Sequence, residues 1–234
     1  MVKILDLNIW NYENFKERKP KIIRLIKEQD PDIVTLQEVS DDLKFNKEGE
    51  NQAQQLNRKL NYPYFAFYLV SNMQKESPNT FGDRKYTSGN AILSKYPILK
   101  VVKKRLKKQK NDKHHRGILH AKIKVDKTYD IIVVHFSNNK IFSLPHLSET
   151  LDYVKKRKIA PIIIGDFNIL EPLEVTRLAK TKYESSYIYK KYISYPSKKE
   201  VLDYILIPKE LRFKSFKCLN DNVSDHRALV AEIV

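Results

Sequence analysis

The amino-acid sequence predicts an α/β fold in which two β-sheets pack face to face and helices cover their outer sides. Three observations predict it. Short apolar segments typical of strands recur along the 234 residues, whereas segments with helical periodicity are few. Two stretches repeat one strand, helix, strand order. No linker rich in Pro, Gly or Ser divides the chain, so we expect one domain over residues 1–234.

The first strand, helix, strand unit begins at the N-terminus. The segment "VKILDLNIW" is predicted as a strand that ends in polar residues, among them Asn8. In "KPKIIRLIKEQD", Pro20 suits the start of a helix, and the apolar residues between Ile22 and Ile26 form the stripe of an amphipathic helix. "PDIVTLQEV" is then a second strand, which ends on Glu38.

The second unit follows the same plan. "YDIIVVHFS" is predicted as a strand ending on His135, "SLPHLSETLDYVKKRK" as an amphipathic helix capped by Ser143, and "APIIIGDFN" as another strand. Asn8 and Glu38 lie 30 positions apart, and His135 and Asp166 lie 31 positions apart. Each unit therefore delivers polar residues to the ends of two neighbouring strands.

Further segments have the composition of strands and supply the rest of the two sheets. They are "YFAFYLV", "GNAILSKYPILKVVKKRL", "RGILHAKIKV", "VLDYILIP" and "HRALVAEIV".

The end of "APIIIGDFN" is chemically unusual because a carboxylate and an amide follow an apolar run. Side chains alternate faces along an extended chain, so we expect Asp166 and Asn168 to point to one side and Phe167 to point into a core. Taken alone, Asp166 and Asn168 also suit a turn.

The net charge favours an acidic partner. The formal charge is +16, from 44 Lys and Arg against 28 Asp and Glu, and the isoelectric point is near 9.6. A polyanion such as nucleic acid or an acidic lipid surface is one interpretation, and a solvated Lys-rich surface is the other. The five glycines form no GxxxxGK or GxGxxG arrangement, so side chains or a metal must handle any phosphate.

Cysteine use and hydropathy indicate a soluble protein of a reducing compartment, and we expect a cytoplasmic location. Cys218 is the single cysteine, which excludes an intrachain disulfide and a cysteine-based metal site. The N-terminal "MVKILDLNIW" is too short and too polar for a signal peptide, and no run of about 18 apolar residues suits a membrane span. Nothing in the sequence indicates an obligate protein partner.

Two segments leave structural and functional interpretations open. The segment from Lys103 to Arg116, "KKRLKKQKNDKHHR", suits a long projecting hairpin with Asn111 and Asp112 at its tip. It is either an arm that grips a phosphate backbone or a solvated loop. The five tyrosines of "YESSYIYKKYISYPS" suit either stacking on bases or, as we favour, packing within the fold.

Polar residues at strand margins form a set suited to the hydrolysis of a phosphate ester. This reaction needs a hard divalent cation on oxygen ligands, a base that activates water and donors for the charge on phosphorus oxygens. We predict Glu38 and Asn8 as ligands of Mg²⁺, with Mn²⁺ as the alternative ion. We predict as catalytic residues the water-activating Asp166, its neighbour Asn168, a cationic His226 paired with Asp203, and the donor His135.

Seven segments, in order and across nearly the whole chain, resemble one family. They are "LNIW", "IVTLQEV", "GNAILSKYPI", "VVHFS", "GDFN", "VLDYILIP" and "SDHRAL". They resemble the endonuclease/exonuclease/phosphatase superfamily, the DNase I-like metal-dependent phosphoesterases. The resemblance implies a four-layer α/β/β/α sandwich of two packed mixed β-sheets and outer helices, with the active site at one edge of the sheets.

The resemblance also supports the roles given above and adds a residue, since it implies that Asp225 lies beside the metal. We further expect Asn90, in "GNAILSKYPI", and Arg116, at the end of the basic segment, to bind substrate. His135 stands where abasic-site endonucleases usually have a tyrosine, and Trp10 stands where they usually have an aspartate. Both residues count against an abasic-site repair enzyme.

The sequence therefore predicts a Mg²⁺-dependent phosphodiesterase that acts on nucleic acid by metal-assisted in-line attack of water on phosphorus. A phosphoesterase of the same fold acting on a phospholipid head group, an inositol phosphate or another small phosphoester is the alternative. An inactive module that only binds nucleic acid is a third hypothesis, which the complete set of chemically competent residues disfavours.

Overall fold

Twelve strands in the described part of the chain form two six-stranded sheets. The computed structural model describes residues 1–42, 46–47, 49–72, 87–108, 110, 112 and 114–234. The strands are β1 (Val2–Asn8), β2 (Ile33–Val39), β3 (Tyr64–Asn72), β4 (Thr87–Ser94), β5 (Ile98–Arg105), β6 (Gly117–Lys124), β7 (Thr128–His135), β8 (Ile162–Asp166), β9 (Tyr183–Ser185), β10 (Asp203–Pro208), β11 (Phe213–Cys218) and β12 (Leu229–Ile233).

Helices cover the outer sides of both sheets. Those in the described ranges are α1 (Phe15–Gln29), α2 (Gln52–Leu60), α3 (Lys140–Arg157), α4 (Pro172–Ala179) and α5 (Ser186–Tyr189), with a 3-10 turn at Pro196–Lys198. Within those ranges, no helix is long and apolar enough to cross a membrane.

Both sheets are mixed. Sheet 1 has the order β11-β12-β1-β2-β4-β3, and sheet 2 has the order β5-β6-β7-β8-β10-β9. The pairs β1 with β2 and β7 with β8 are parallel, and the other strand pairs are antiparallel. The two parallel pairs are the two predicted strand, helix, strand units, whose crossover helices are α1 and α3.

Three apolar layers hold the sandwich together. Ile131 and Val133 of β7 face the core between the sheets, whereas Ile132 and Val134 face the layer under α3 and α4. A strand buried on both faces needs a continuous apolar run, which explains "DIIVV". The third layer packs α1 and α2 onto sheet 1. The predicted four-layer α/β/β/α sandwich is confirmed.

The two strand, helix, strand units place the polar strand ends at one edge of the sandwich. The carboxyl ends of β1, β2, β7 and β8 lie at one edge of the sandwich, because each parallel pair runs in one direction. Strand β10 runs antiparallel to β8 and begins at this edge, with Asp203 opposite Asp166. Strand β12 also begins here, so the preceding loop brings Asp225 and His226 to the same edge.

The start of α1 differs from the prediction. The helix begins at Phe15, and Pro20 lies inside it, so the expected start at Pro20 is wrong. Arg18, in this first part of the helix, donates from its guanidinium to the carbonyl oxygens of Ile9 at 2.7 Å and Val223 at 3.1 Å. These bonds fix the first turn of the helix before the proline.

The cap of α3 also differs. The side chain of Asn139 accepts a hydrogen bond from the backbone N–H of Ile141 at 3.0 Å and caps the helix. Ser143 lies within the helix, where its hydroxyl donates to the carbonyl of Lys140 at 3.3 Å. The predicted cap at Ser143 is therefore wrong.

Candidate active site

Side chains from four strand ends meet at one edge of the sandwich. The Asn8 amide donates to Glu38 Oε1 at 3.2 Å and to Asp166 Oδ2 at 3.0 Å. His135 Nε2 lies 3.4 Å from the same Asp166 oxygen and 4.0 Å from Glu38 Oε1. Asn8 and Glu38 come from sheet 1, and His135 and Asp166 come from sheet 2, so the site joins the two halves of the fold.

Glu38 is aimed at this site by an irregularity in β2. The register between β2 and β4 shifts between Leu36 and Val39, and Glu38 has a φ of 56°, in the left-handed region that favours glycine. Burial raises the pKa of Glu38 above its ordinary value, and the neighbouring Asp225 carboxylate raises it further. Burial also raises the pKa of Asp225. Two carboxylates that disfavour each other's charge fit a cation between them.

Asp166 has the environment of a base. Burial and the carboxylates of Asp203 and Glu38 raise the pKa of Asp166 to about 7, against the opposing effects of His226 and Asn8. A carboxyl group that titrates near neutral pH is suited to proton transfer.

Asn168 reaches the site by a turn and not by strand alternation. Strand β8 ends at Asp166, and Asn168 has a φ of 52°. Its backbone N–H donates to Asp166 Oδ1 at 3.0 Å, and its side-chain amide donates to the carbonyl of Phe136 at 3.2 Å. The turn thus fixes one oxygen of the Asp166 carboxylate, while Phe167 is fully buried as predicted.

The two histidines of the site differ in charge. His226 Nδ1 donates to Asp203 Oδ2 at 2.8 Å. Burial alone would lower the pKa of His226, but the carboxylates of Asp203, Asp166 and Asp225 raise it well above its ordinary value. Burial, together with the positive charge of Arg116, lowers the pKa of His135 well below its ordinary value. At neutral pH the site therefore holds a cationic His226 and a neutral His135.

The donor set fits a hard divalent cation. Asp166, Asp203 and His226 offer ligand atoms within 4.8 Å of one another. A cationic imidazole has no lone pair for a metal, so His226 does not suit this role. Glu38 and Asp225 supply oxygen donors without that restriction. The Oδ1 of Asn8 accepts the backbone N–H of Trp10 at 3.0 Å, and its N–H groups orient the carboxylates, so its role as an oxygen ligand stays a prediction.

A cavity of about 520 Å³ opens onto these groups. The predicted residues that line it are Glu38, Arg116, His135, Asp166, Asn168, Asp225 and His226. Asn8 and Asp203 are buried and hold the lining residues from behind. Asn90 is also buried, and its amide donates to the carbonyls of Gly117 at 3.3 Å and Val133 at 3.4 Å, which bridges the sheets. Its substrate contact stays a prediction.

The basic segment lies against the fold where the structure describes it. Glu149 of α3 accepts hydrogen bonds from Lys104 Nζ at 2.6 Å and from the backbone N–H of Lys107 at 2.8 Å. Asp112 accepts a hydrogen bond from the hydroxyl of Ser137 at 3.1 Å. The predicted projecting arm is therefore wrong for these residues, and Asn111 of the predicted tip lies outside the described residues.

Ten further residues that the sequence did not predict also line the cavity. They are Ser71, Ser88, His114, Asn138, Lys140, Leu170, Tyr195, Lys198, Glu200 and Leu202. Tyr195 pairs with Glu200 in an antiparallel bridge, and its ring centroid lies 4.9 Å from that of His226. The tyrosine-rich composition was the only sequence signal for Tyr195. Of the other tyrosines in that segment, Tyr183, Tyr187 and Tyr192 pack in the fold, in line with the packing interpretation.

Residues 7–226 match the Endonuclease/Exonuclease/phosphatase family. The chain belongs to this family. This endonuclease/exonuclease/phosphatase family member is accordingly a metal-dependent phosphoesterase, a class of hydrolases. No curated protein is significantly similar to it in sequence.

Solved structures of low sequence identity share its fold. An endonuclease/exonuclease/phosphatase family protein from Leptotrichia buccalis is 20% identical, with a TM-score of 0.76 and 100% of both chains covered. The human nocturnin catalytic domain with bound sulfate is 21% identical, with a TM-score of 0.74 and coverage of 100% of this chain and 94% of that one. A mannosyl-6-phosphatase from Bacteroides thetaiotaomicron is 15% identical, with a TM-score of 0.76 and 100% of both chains covered.

Proposed function

We propose that this family member is a Mg²⁺-dependent nuclease that hydrolyses a phosphodiester bond of DNA or RNA. The lining of the 520 Å³ cavity is the main support for this proposal. Three basic residues, Arg116, Lys140 and Lys198, and the aromatic ring of Tyr195 surround the cluster of acidic residues and histidines. Basic side chains bind backbone phosphates, and an aromatic ring stacks on bases. The net charge of +16 supports the same class of substrate.

The residues of the site would have the following roles in the reaction. Glu38 and Asp225 would hold Mg²⁺, which when bound would neutralise charge on the phosphoryl oxygens. Asp166 would accept the proton of the attacking water at Oδ2 while the backbone N–H of Asn168 holds Oδ1. Asn8 would keep the Glu38 and Asp166 carboxylates in register across the two sheets.

The histidines would stabilise the developing charge. Cationic His226 would donate Nε2–H to an oxygen on phosphorus, because its Nδ1–H is already bound to Asp203. Neutral His135, next to Asp166, would supply a second donor. Asp203 would act through His226 by maintaining its charge and ring orientation.

A phosphomonoesterase acting on a small molecule is the second candidate. A cavity of about 520 Å³ is within the size range of sites that bind small molecules. A mannosyl-6-phosphatase is among the proteins that share the fold.

A metal-dependent substrate panel tests the proposal. Single- and double-stranded DNA, RNA, an inositol phosphate and a sugar phosphate would be incubated with enzyme and Mg²⁺, with Mn²⁺, or with chelator. We expect cleavage of at least one nucleic acid, loss of cleavage with chelator, and a steep decrease with salt. Turnover of a small phosphoester with every nucleic acid left intact would overturn the nuclease proposal in favour of the second candidate.

Two variants would tie the activity to this cavity. Glu38→Gln and Asp166→Asn should each lower kcat by at least ~10²-fold, the scale for losing a group that acts in the transition state. Glu28→Gln is the matched control, because Glu28 is exposed on α1 and should leave kcat unchanged. If all three variants lower kcat equally, the assignment of the active site to this cavity is contradicted.

A further inference from the structure

A second cavity, of about 240 Å³, lies on the outer face of sheet 2. It forms where β5, β6 and β7 meet the C-terminal end of α3, and it is lined by Lys100, Val102, His120, Lys122, Asp130, Arg157 and Ile159. Asp130 lies five residues before His135 on β7, about 17 Å along the strand, and faces the opposite side of the sheet. This cavity is therefore separate from the active site.

The cationic side chains of the second cavity are poorly compensated within it. Lys100 and Lys122 are direct cross-strand partners in the β5–β6 register, a like-charge arrangement that destabilises a sheet. Arg157 of α3 adds a third positive charge. Asp130 is the single carboxylate among the lining residues, all of which the structure describes. It lies opposite Lys122 in the β6–β7 register, and its Oδ1 is hydrogen-bonded to His120 Nε2 at 2.7 Å. Burial lowers the pKa of His120, so this ring is not a fourth cation at neutral pH. Three cations thus face one carboxylate that is already engaged.

A chain of side-chain contacts holds the cavity in shape. His120 Nε2 bonds to Asp130 Oδ1 at 2.7 Å, and His120 Nδ1 bonds to the Tyr153 hydroxyl at 3.0 Å. The guanidinium of Arg157 lies 4.8 Å from the centroid of the Tyr153 ring. These contacts position a cation on α3 over the strand lysines before any ligand arrives, which lowers the entropic cost of binding.

A purely structural explanation accounts for part of this arrangement. A basic residue in the last turn of α3 interacts favourably with the helix dipole, and exposed lysines are often only solvated. Neither effect explains why Lys100 and Lys122 lie opposite each other at this cavity. The one carboxylate of the cavity, Asp130, is already hydrogen-bonded to His120. A bound anion would relieve the repulsion between the two lysines.

We propose that this cavity is a second anion site that binds a phosphate group through Lys100, Lys122 and Arg157. Three cations against one carboxylate leave an excess of two positive charges, which matches a phosphate dianion. The phosphate belongs either to a small phosphorylated molecule or to the backbone of a nucleic acid. The site does not depend on the proposed nuclease activity.

Histidine-resolved NMR tests the proposal on the intact protein. Inorganic phosphate would be titrated at constant pH and ionic strength while the imidazole signals are followed. We expect a saturable shift of the His120 signals, because this ring borders the site, with a dissociation constant different from that reported by His135 and His226 in the active site. An unperturbed His120 at phosphate concentrations that saturate the active-site histidines would overturn the proposal.

Charge-neutral variants give the decisive comparison. Lys100→Gln combined with Lys122→Gln should weaken the phosphate affinity reported by His120 at least ~10-fold. Its circular dichroism spectrum should match that of the wild type, which confirms that it folds. The matched control combines Lys155→Gln with Lys156→Gln, two exposed positions of α3 outside the cavity, and should bind as the wild type does. Equal affinity in both double variants would overturn the proposal. If the first pair does not fold, Lys100→Gln alone is compared with Lys155→Gln.

A second titrant separates the two sources of phosphate. If a single-stranded oligonucleotide shifts His120 at lower concentration than inorganic phosphate does, the site binds a nucleic-acid backbone. If only inorganic phosphate shifts His120, the site binds a small phosphorylated molecule. If neither titrant shifts His120, there is no anion site in this cavity.

Discussion

His226 and Asp203 form a buried hydrogen bond of 2.8 Å that joins the loop before β12 to the start of β10. The bond fixes the imidazole with Nε2 directed towards Asp166, 3.9 Å from its Oδ2. Asp203→Asn keeps the size of the side chain but removes the charge that favours the imidazolium. We expect kcat to decrease by at least ~10²-fold while the free energy of unfolding changes little by comparison, as measured by steady-state kinetics and urea denaturation.

The chain contains its own control for this variant. His120 and Asp130 form a second hydrogen-bonded histidine–carboxylate pair, at 2.7 Å, on the outer face of sheet 2. Asp130→Asn should therefore leave kcat unchanged on the substrate with which Asp203→Asn is measured. If both variants lower kcat equally, loss of a buried pair and not loss of a catalytic contact explains the effect of Asp203→Asn.

Tyr195 should contribute to substrate binding and not to bond cleavage. Its ring packs beside His226 on the wall of the cavity, and the bridge to Glu200 holds it there. Tyr195→Leu should raise KM for an oligonucleotide about 10-fold, the scale of one lost stacking contact, with a smaller effect on kcat. Tyr189→Leu is the control, since Tyr189 is 42% exposed and packs on Phe213 outside the cavity. A decrease in kcat with unchanged KM would contradict this role.

The sequence predicts the site best where local rules determine the structure. Asn8, Glu38, His135 and Asp166 end apolar strands of two crossover units, and parallel pairing brings such strand ends to one edge. The four-layer architecture follows from the same pattern. Phe167 is buried, as alternation along the strand predicts.

Long-range contacts explain what the sequence could not predict. The first turn of α1 depends on the bond from Arg18 to Val223, which is remote in the chain. His114 and Tyr195 reach the cavity because of loop paths that no periodicity encodes. Asn168 has a left-handed backbone and not an extended one, and its side-chain amide is held by the carbonyl of Phe136, 32 positions earlier. Each of these features is set by a partner elsewhere in the fold.

Gly165 is required by the backbone that precedes Asp166. Its φ is +135°, a conformation that side chains disfavour, and a Cβ there would overlap the carbonyl oxygen of Val134 on the paired strand β7. Gly165→Ala should lower the free energy of unfolding by about 2–3 kcal/mol, as measured by urea denaturation. Gly49→Ala is the control, because Gly49 also has a positive φ, of +71°, but has open space around a Cβ. It should cost about 1 kcal/mol. Equal losses would show that the overlap with Val134 is unimportant.

Glu149 should anchor the loop that carries His114 and Arg116, in a pH-dependent way. Burial opposes ionisation of Glu149, but hydrogen bonds from Lys104 and from the Lys107 backbone outweigh it and lower its pKa below the ordinary 4.5. Because the folded-state pKa is lowered, the stabilisation is present above pH 4.5 and is lost as the pH falls through the folded-state value. Glu149→Gln should therefore reduce the free energy of unfolding by about 0.5–1 kcal/mol at neutral pH, after screening by solvent, and by less below pH 4.5. Urea denaturation at pH values above and below 4.5 measures these two differences in the free energy of unfolding.

Glu174→Gln is the control, because it breaks only the exposed pair with Arg177. Its free energy of unfolding should differ little from that of the wild type at any pH. A difference between wild type and Glu149→Gln that stays constant with pH would show that this carboxylate does not anchor the loop through its charge.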